Sequence, residues 1–228
     1  MTSWISSTPQ TVFHDVCNAS TPSERIGYVP SGPVLIVVPT SRQRDDVLIQ
    51  WARHNGRGEP PMIVTMAGLY RALAPMVMQQ PPRILADSAV DVLLHHAAEI
   101  CDLPVGSVRL RASRIVRWAQ EQRSPAWLRD AAARHPSQRG ARQLATAAKI
   151  WEAYEELLGS RAADRGTYSR RVVEALQRAP IAALATPTGD AYSRCLVLDT
   201  HGVTGVDAQL LNVLASCGWD IAVQFAPE

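Results

Sequence analysis

The stretch VLIVVPTSRQRDDVLIQWARH, residues 34–54, joins a continuous apolar run to a helical pattern. The run at residues 34–38 is rich in β-branched side chains and is bounded by prolines, which is typical of a strand buried on both faces. Strands of this kind belong to parallel sheets. Ser41 is expected to cap the helix that follows, whose apolar residues share one face.

The same strand-then-helix order recurs further along the chain. Residues 62–65 (MIVT) predict a second strand with a helix directly after it, and residues 195–198 (CLVL) predict a third. Residues 221–225 (IAVQF) predict a last strand. The sequence therefore predicts an α/β domain with a parallel sheet of three or four strands, built from residues 1–78 and 187–228.

Residues 79–186 lack apolar runs of the strand type and carry helical periods instead. Asp87 is expected to cap the first of these helices, and Gly159 is expected to end a long one. This stretch is predicted to be a helical insertion without strands, lying within a crossover of the parallel sheet.

Composition restricts the class of protein. Hydrophobic residues make up 46% of the chain and charged residues 19%, so the chain is expected to fold. No segment has the features of a secretory signal or a membrane span, which predicts a cytoplasmic protein without membrane contact. The four cysteines are widely spaced and are interpreted as small apolar residues of a reducing compartment. They are Cys17, Cys101, Cys195 and Cys217.

Polar residues follow the predicted strands at the sheet edge where parallel sheets bind ligands. They are Thr40, Ser41 and Arg42 after the first strand, Thr65 after the second, and Asp199, Thr200 and His201 after the third. A strand-terminal aspartate is typical of magnesium-dependent NTPases. The chain has no GxxxxGK[ST] phosphate loop, however, so neither ATP hydrolysis nor a bound cofactor or metal is expected.

Two alternatives for this edge stay open. Asp199 and His201 could belong to a metal site or a catalytic dyad, but no third group stands at recognisable spacing, and Asp199 can instead cap its turn. An enzyme that acts on a phosphorylated small molecule in the strand-end cleft is the other alternative.

Residues 109–123 read RLRASRIVRWAQEQR and form the most basic stretch of the insertion. Helical spacing places several of the arginines close together, and such a stripe can track a nucleic-acid backbone. The candidate contacts are Arg109, Arg111, Arg114 and Arg117. Trp118 could add a stacking surface, although its apolar neighbours favour burial. A solvated helix face without a ligand is the alternative interpretation.

Five segments in one order resemble a known family. They are VLIVVPTSRQRDDV, IVTMAGLYRAL, RILADSAVDVLLHHA, LATAAKIWEAYEELLGSRAADRGTYSRRVVEAL and LVLDTHGVTGVDAQLLNVLA, between residues 34 and 215. Together they are similar to the N-terminal helicase-like region of AddB (RexB), a subunit of AddAB-type helicase-nucleases, and the resemblance covers about residues 34 to 225. The resemblance implies a RecA-like, P-loop NTPase-like sheet without its phosphate loop, a helical insertion of the 1B type, and a role in double-strand break processing.

Departures from active helicases shape the functional expectation. Active relatives carry two successive acidic residues after the third strand, whereas Asp199 is followed by Thr200, so the general base is missing. The resemblance therefore implies a non-catalytic module that supports an AddA-like motor subunit and holds or reads DNA, single-stranded by expectation. A docking scaffold that does not contact DNA is the alternative. Further sequence is expected after Glu228, because the last predicted strand has no helix to cover it.

Overall fold

A computed structural model describes residues 34–55, 62–103, 106–120, 124–185, 189, 191–198 and 205–224. These residues form eight helices and eight strands. In chain order they are β1 (Val34–Val38), α1 (Ser41–Asn55), β2 (Met62–Thr65), α2 (Met66–Val77), β3 (Arg83–Ile84), α3 (Asp87–Ile100), α4 (Ser107–Gln120), α5 (Pro125–Arg134), α6 (Gln138–Leu158), β4 (Ala162–Ala163), α7 (Arg165–Arg178), β5 (Leu184–Ala185), β6 (Ala191–Tyr192), β7 (Arg194–Leu198), α8 (Gly205–Ser216) and β8 (Asp220–Gln224).

The central sheet has four strands in the order β2-β1-β7-β8, and every neighbouring pair is parallel. Ile36 of β1 lies opposite Ile63 of β2 on one side and Leu196 of β7 on the other. This interior position explains the unbroken apolar run of β1, in which Leu35 to Val38 are at most 2% exposed. The predicted α/β class with a parallel sheet is confirmed.

Helix α1 covers one face of this sheet. Ile36, Val38 and Ile63 form a buried cluster, and Val47 and Leu48 of α1 pack against it. Residues 36 and 38 share a face because side chains alternate along a strand, whereas Val47 and Leu48 are neighbours on one side of a helix. The helical pattern after the first strand therefore buries its apolar side on that strand.

The chain divides into two compact units. Of the described residues, the sheet unit contains those between 34 and 77, between 175 and 198 and between 207 and 224, and the helical unit contains those between 78 and 174 together with 205 and 206. Helix α6 is the centre of the helical unit, where α3, α4 and α5 all pack against it. Its side chains Trp151 and Tyr154 are fully buried in that core, together with Leu94 of α3 and Val116 of α4.

Short strands within residues 79–186 contradict the prediction that this stretch is free of them. β3 pairs with β4 in parallel, and β5 pairs in antiparallel orientation with β6, which lies after residue 186. Each of these strands is only two residues long. A hydrophobic period cannot be read from two residues, so such pairs leave no signal in the sequence.

The beginnings of two helices differ from the expected capping. The Thr40 side chain, not that of Ser41, accepts a hydrogen bond from the Gln43 backbone N–H at 3.2 Å at the start of α1. Helix α3 has Ala86 as its N-cap without a side-chain hydrogen bond, and Asp87 is its first helical residue. In both helices the residue predicted as the cap is the first helical residue, one position after the observed cap. Sequence-based helix boundaries commonly differ from observed ones by one or two residues. Gly159, with φ 58°, ends α6 as predicted.

Candidate nucleic-acid interface

The two threonines of the predicted strand-end site lie at the same edge of the sheet. Thr65 is opposite Val38, the last residue of β1, and Thr40 follows Val38 by two positions. The Thr65 hydroxyl accepts a hydrogen bond from the Gly68 backbone N–H at 3.1 Å. The Thr40 hydroxyl donates to Gln43 Oε1 at 2.9 Å and accepts from the Gln43 N–H. Helix capping therefore accounts for both hydroxyls.

The rest of this edge is only partly described. Ser41 and Arg42 are exposed in the first turn of α1. Strand β7 ends at Leu198, and Asp199, Thr200 and His201 lie outside the described residues. The described part of the edge therefore contains two capping hydroxyls and an exposed serine and arginine.

Millimolar ATP with magnesium is expected not to raise the melting temperature of this chain. A phosphate loop binds through a cradle of backbone N–H groups and a lysine, and the sequence contains no such motif. A ligand that binds only the folded state must stabilise it, so differential scanning fluorimetry with and without nucleotide measures the interaction directly. An increase of several degrees with nucleotide would restore the strand-end cleft as a binding site.

Helix α4 has a buried side and a basic exposed side. Ala112, Val116 and Ala119 are at most 4% exposed and lie on the side that packs into the helical unit. Four exposed residues lie on the opposite side of the helix, and we call them the arginine–tryptophan face. They are Leu110, Arg111, Arg114 and Trp118. Spacings of three and four residues along the helix make Arg111, Leu110 and Trp118 each a neighbour of Arg114.

Trp118 is 57% exposed, so the expectation that it is buried is wrong. It comes two residues after the buried Val116, and two helical positions turn a side chain about 200° around the axis, to the far side of the helix. The Trp118 ring contacts Trp127 of α5, with ring centroids 6.0 Å apart and planes tilted by 58°. Trp127 also packs against the core of the helical unit, so it lies between that core and Trp118.

Arg117 is held by the protein itself. Its Nη2 lies 2.9 Å from the Asp91 carboxylate and donates to the Asp87 backbone oxygen at 2.9 Å, both on α3. This arginine therefore joins α4 to α3, and we leave it out of the arginine–tryptophan face. Arg109 lies in the first turn of α4, but its side chain is outside the described residues.

The charge of the arginine–tryptophan face is not neutralised within the described part of the chain. Helix α4 contains no acidic residue. Neither Arg111 nor Arg114 has an ion-pair partner among the described residues, in contrast to Arg117 and to Arg129 of α5, which pairs with Glu152. Exposed positive charges beside an exposed aromatic ring are the features that bind single-stranded nucleic acids.

Other kinds of site find less support among the described residues. Burial raises the pKa of the Cys195 thiol to about 12, and burial also raises the pKa of Cys101 against the opposing effect of Lys149. Neither thiol is therefore activated as a nucleophile. Within the described ranges no group of three or more His, Cys, Asp or Glu residues could hold a metal ion. No helix in the same ranges has the length and apolar character needed to cross a membrane.

Three features of the helical unit were missed from the sequence. Leu110 lies one helical turn before Arg114, Trp127 contacts Trp118, and the buried Asp164 accepts hydrogen bonds from Tyr154 and Thr167. Asp164 had a readable signal, because aspartate is a preferred N-cap residue and stands directly before the helical pattern that begins at Arg165. Trp127 had none, because its contact with Trp118 depends on how α4 and α5 pack.

No protein-family model matches this chain, and no curated protein is significantly similar to it.

Proposed function

We propose that this chain is a non-hydrolysing, RecA-like helicase module that holds single-stranded DNA on its arginine–tryptophan face. It would support a separate AddA-like motor subunit during double-strand break processing, as the resemblance to AddB implies. The observation that carries the proposal is the exposure of Arg111, Arg114 and Trp118 on one side of α4, without acidic residues on that helix.

Fold and sequence support the helicase-like part of the proposal. The parallel order β2-β1-β7-β8 is compatible with a RecA-like sheet. The chain lacks the GxxxxGK[ST] loop that a working motor needs for ATP. A module with this sheet and without this loop can position DNA for a motor but cannot itself convert ATP hydrolysis into movement.

The chemistry of the face supports a single strand over a duplex. Arginine guanidinium groups bind phosphates independently of base sequence. An exposed indole can stack on an unpaired base, whereas the bases of a duplex are already stacked on one another. The Leu110 side chain, 57% exposed, adds apolar surface next to Arg114. Binding through such a face is expected to weaken strongly as salt rises, because each arginine–phosphate contact releases counterions.

Replacing both Arg111 and Arg114 by glutamine is expected to weaken binding of a labelled oligothymidylate at about 50 mM salt and to lower the salt slope by about 1.4. Each lost phosphate contact on a single strand reduces the slope by about 0.7, and glutamine keeps the helix propensity. Fluorescence anisotropy over a salt series measures both quantities.

The matched control removes two other exposed arginines from the helical unit. Arg161→Gln with Arg165→Gln changes the net charge equally at two exposed positions outside α4. We expect this pair to bind nearly as tightly as the wild type. Equal loss in both double variants would mean that net charge alone drives binding, and no loss in either would argue against the face as a DNA contact.

A docking scaffold is the second candidate, and exposed apolar residues of α3 favour it. Val92 is 68% exposed and Ile100 is 55% exposed. Exposed apolar side chains that form a continuous patch mark protein interfaces, whereas isolated ones occur on any protein surface. Two results together would favour the scaffold. The wild type would not bind oligonucleotides, and the Arg111 and Arg114 double variant would still bind the motor subunit.

A further inference from the structure

We infer that the strand path does not end on α4 but continues over Trp127 onto α5, with Arg134 as its distal phosphate contact. This inference rests on the proposed function, because it extends the same site. Its basis is the contact between Trp118 and Trp127, which brings the exposed end of one helix against the beginning of another.

The geometry of α5 places Arg134 on the side of Trp127. The two residues are seven positions apart, which is close to two full turns, so their side chains project in nearly the same direction. Arg134 is exposed, and its Nε donates to the Asp130 backbone oxygen at 3.3 Å, which leaves the other guanidinium N–H groups for a ligand. Arg129, in contrast, points to another side of α5 and pairs with Glu152.

The resulting path has arginines at both ends and two tryptophan rings between them. It runs from Arg111 and Arg114 to Trp118, then across to Trp127, and on to Arg134. Seven helical residues advance about 10 Å, so the α4 part alone matches about three nucleotides at the roughly 3.4 Å spacing of a stacked strand. Added along the contacts, the α4 part, the 6.0 Å between the two ring centroids and the seven residues from Trp127 to Arg134 match about eight nucleotides, which lies within the range of about 4 to 16 that single-strand binding grooves occupy.

One acidic residue opposes this path. Asp130 is exposed on α5, one turn before Arg134, and its carboxylate has no ion-pair partner among the described residues. A negative charge beside the strand would repel phosphates, so removing it should act in the opposite direction from removing Arg134. The two variants should therefore change the binding of a long oligomer in opposite directions. A general effect of net charge would instead change the binding of long and short oligomers alike.

The test compares oligothymidylates of about four and about ten nucleotides, a length below and a length above the full path. Arg134→Gln is expected to weaken binding of the longer oligomer severalfold and to lower its salt slope by about 0.7, while binding of the shorter one is unchanged. Asp130→Asn is expected to tighten binding of the longer oligomer only. Arg129→Gln, on the same helix, is the control and is expected to change neither.

The outcomes separate this inference from the proposed function. If Arg134→Gln binds both oligomers like the wild type, while the Arg111 and Arg114 double variant loses affinity, the path ends on α4 and the extension is wrong. Loss of the shorter oligomer as well in Arg134→Gln would also contradict the stated path. A wild-type chain that binds neither oligomer overturns both the extension and the proposed function, and leaves protein docking as the role of this surface.

Discussion

Replacing Asp164 by alanine is expected to lower the free energy of unfolding by about 3 kcal/mol. Asp164 is 6% exposed and comes directly before α7. Its Oδ1 accepts a hydrogen bond from the Thr167 backbone N–H at 2.8 Å, and its Oδ2 accepts from the hydroxyls of Tyr154 and Thr167 at 2.9 and 2.8 Å. The carboxylate therefore caps one helix and ties it to α6.

The size of the effect follows from burial. Loss of an N-cap costs about 1 kcal/mol, and a buried hydroxyl deprived of its acceptor costs about 1 to 3 kcal/mol. Tyr154 and Thr167 are at most 1% exposed, so water does not replace the lost acceptor. Asparagine at position 164 keeps an acceptor oxygen for the cap and is expected to cost less than alanine.

Urea denaturation followed by circular dichroism measures these differences. Ser137→Ala is the matched control, because the Ser137 hydroxyl caps α6 by accepting from the Gly140 N–H at 3.1 Å, but at an exposed position. We expect it to cost about 1 kcal/mol or less. If Asp164→Ala cost no more than Ser137→Ala, the buried network would contribute nothing beyond an ordinary cap.

The central sheet could be predicted because burial dictates its sequence. A strand covered on both faces must be apolar at every position, and Leu35 to Val38 satisfy this without interruption. The strands at residues 62–65 and 195–198 are only partly buried, but their short apolar runs also predicted them to within one residue of their observed bounds. The strand order β2-β1-β7-β8 was not predicted, because it depends on contacts between distant segments.

The helical unit was harder to predict in detail. Its helices have clear periods, but the pairing of β3 with β4 depends on backbone hydrogen bonds between segments far apart in sequence. The arginine-rich helix was located correctly, yet its periodicity did not reveal that Arg117 binds Asp91 of another helix. Side-chain partners on neighbouring elements depend on packing, which a single sequence does not encode locally.

Trp118 shows why the candidate site needed a structure. Its neighbours Ile115 and Val116 favoured burial, and a tryptophan beside them is most often part of a core. The core side of α4, however, is made by Ala112, Val116 and Ala119, and the two alanines leave room for close packing without the indole. The indole therefore lies outside, 57% exposed, next to Arg114.

Trp118→Ala is expected to weaken binding of single-stranded DNA by about 5- to 150-fold, which corresponds to the about 1 to 3 kcal/mol of one stacked base. The salt slope should stay unchanged, because the indole carries no charge and its loss removes no phosphate contact. Trp118→Phe keeps a ring and is expected to lose less. This pattern is the opposite of the Arg111 and Arg114 double variant, which should change the slope.

Ile100→Ala is the matched control, since Ile100 is 55% exposed and belongs to α3 of the same unit. It removes a comparable exposed apolar side chain without a ring, so DNA affinity should not change. Circular dichroism must first show that the variants are folded, because Trp118 also contacts the partly buried Trp127. A Trp118→Ala protein with wild-type affinity would mean that bases do not stack here. The two arginines would then bind phosphates alone, and a preference for unpaired strands would have no structural basis on this face.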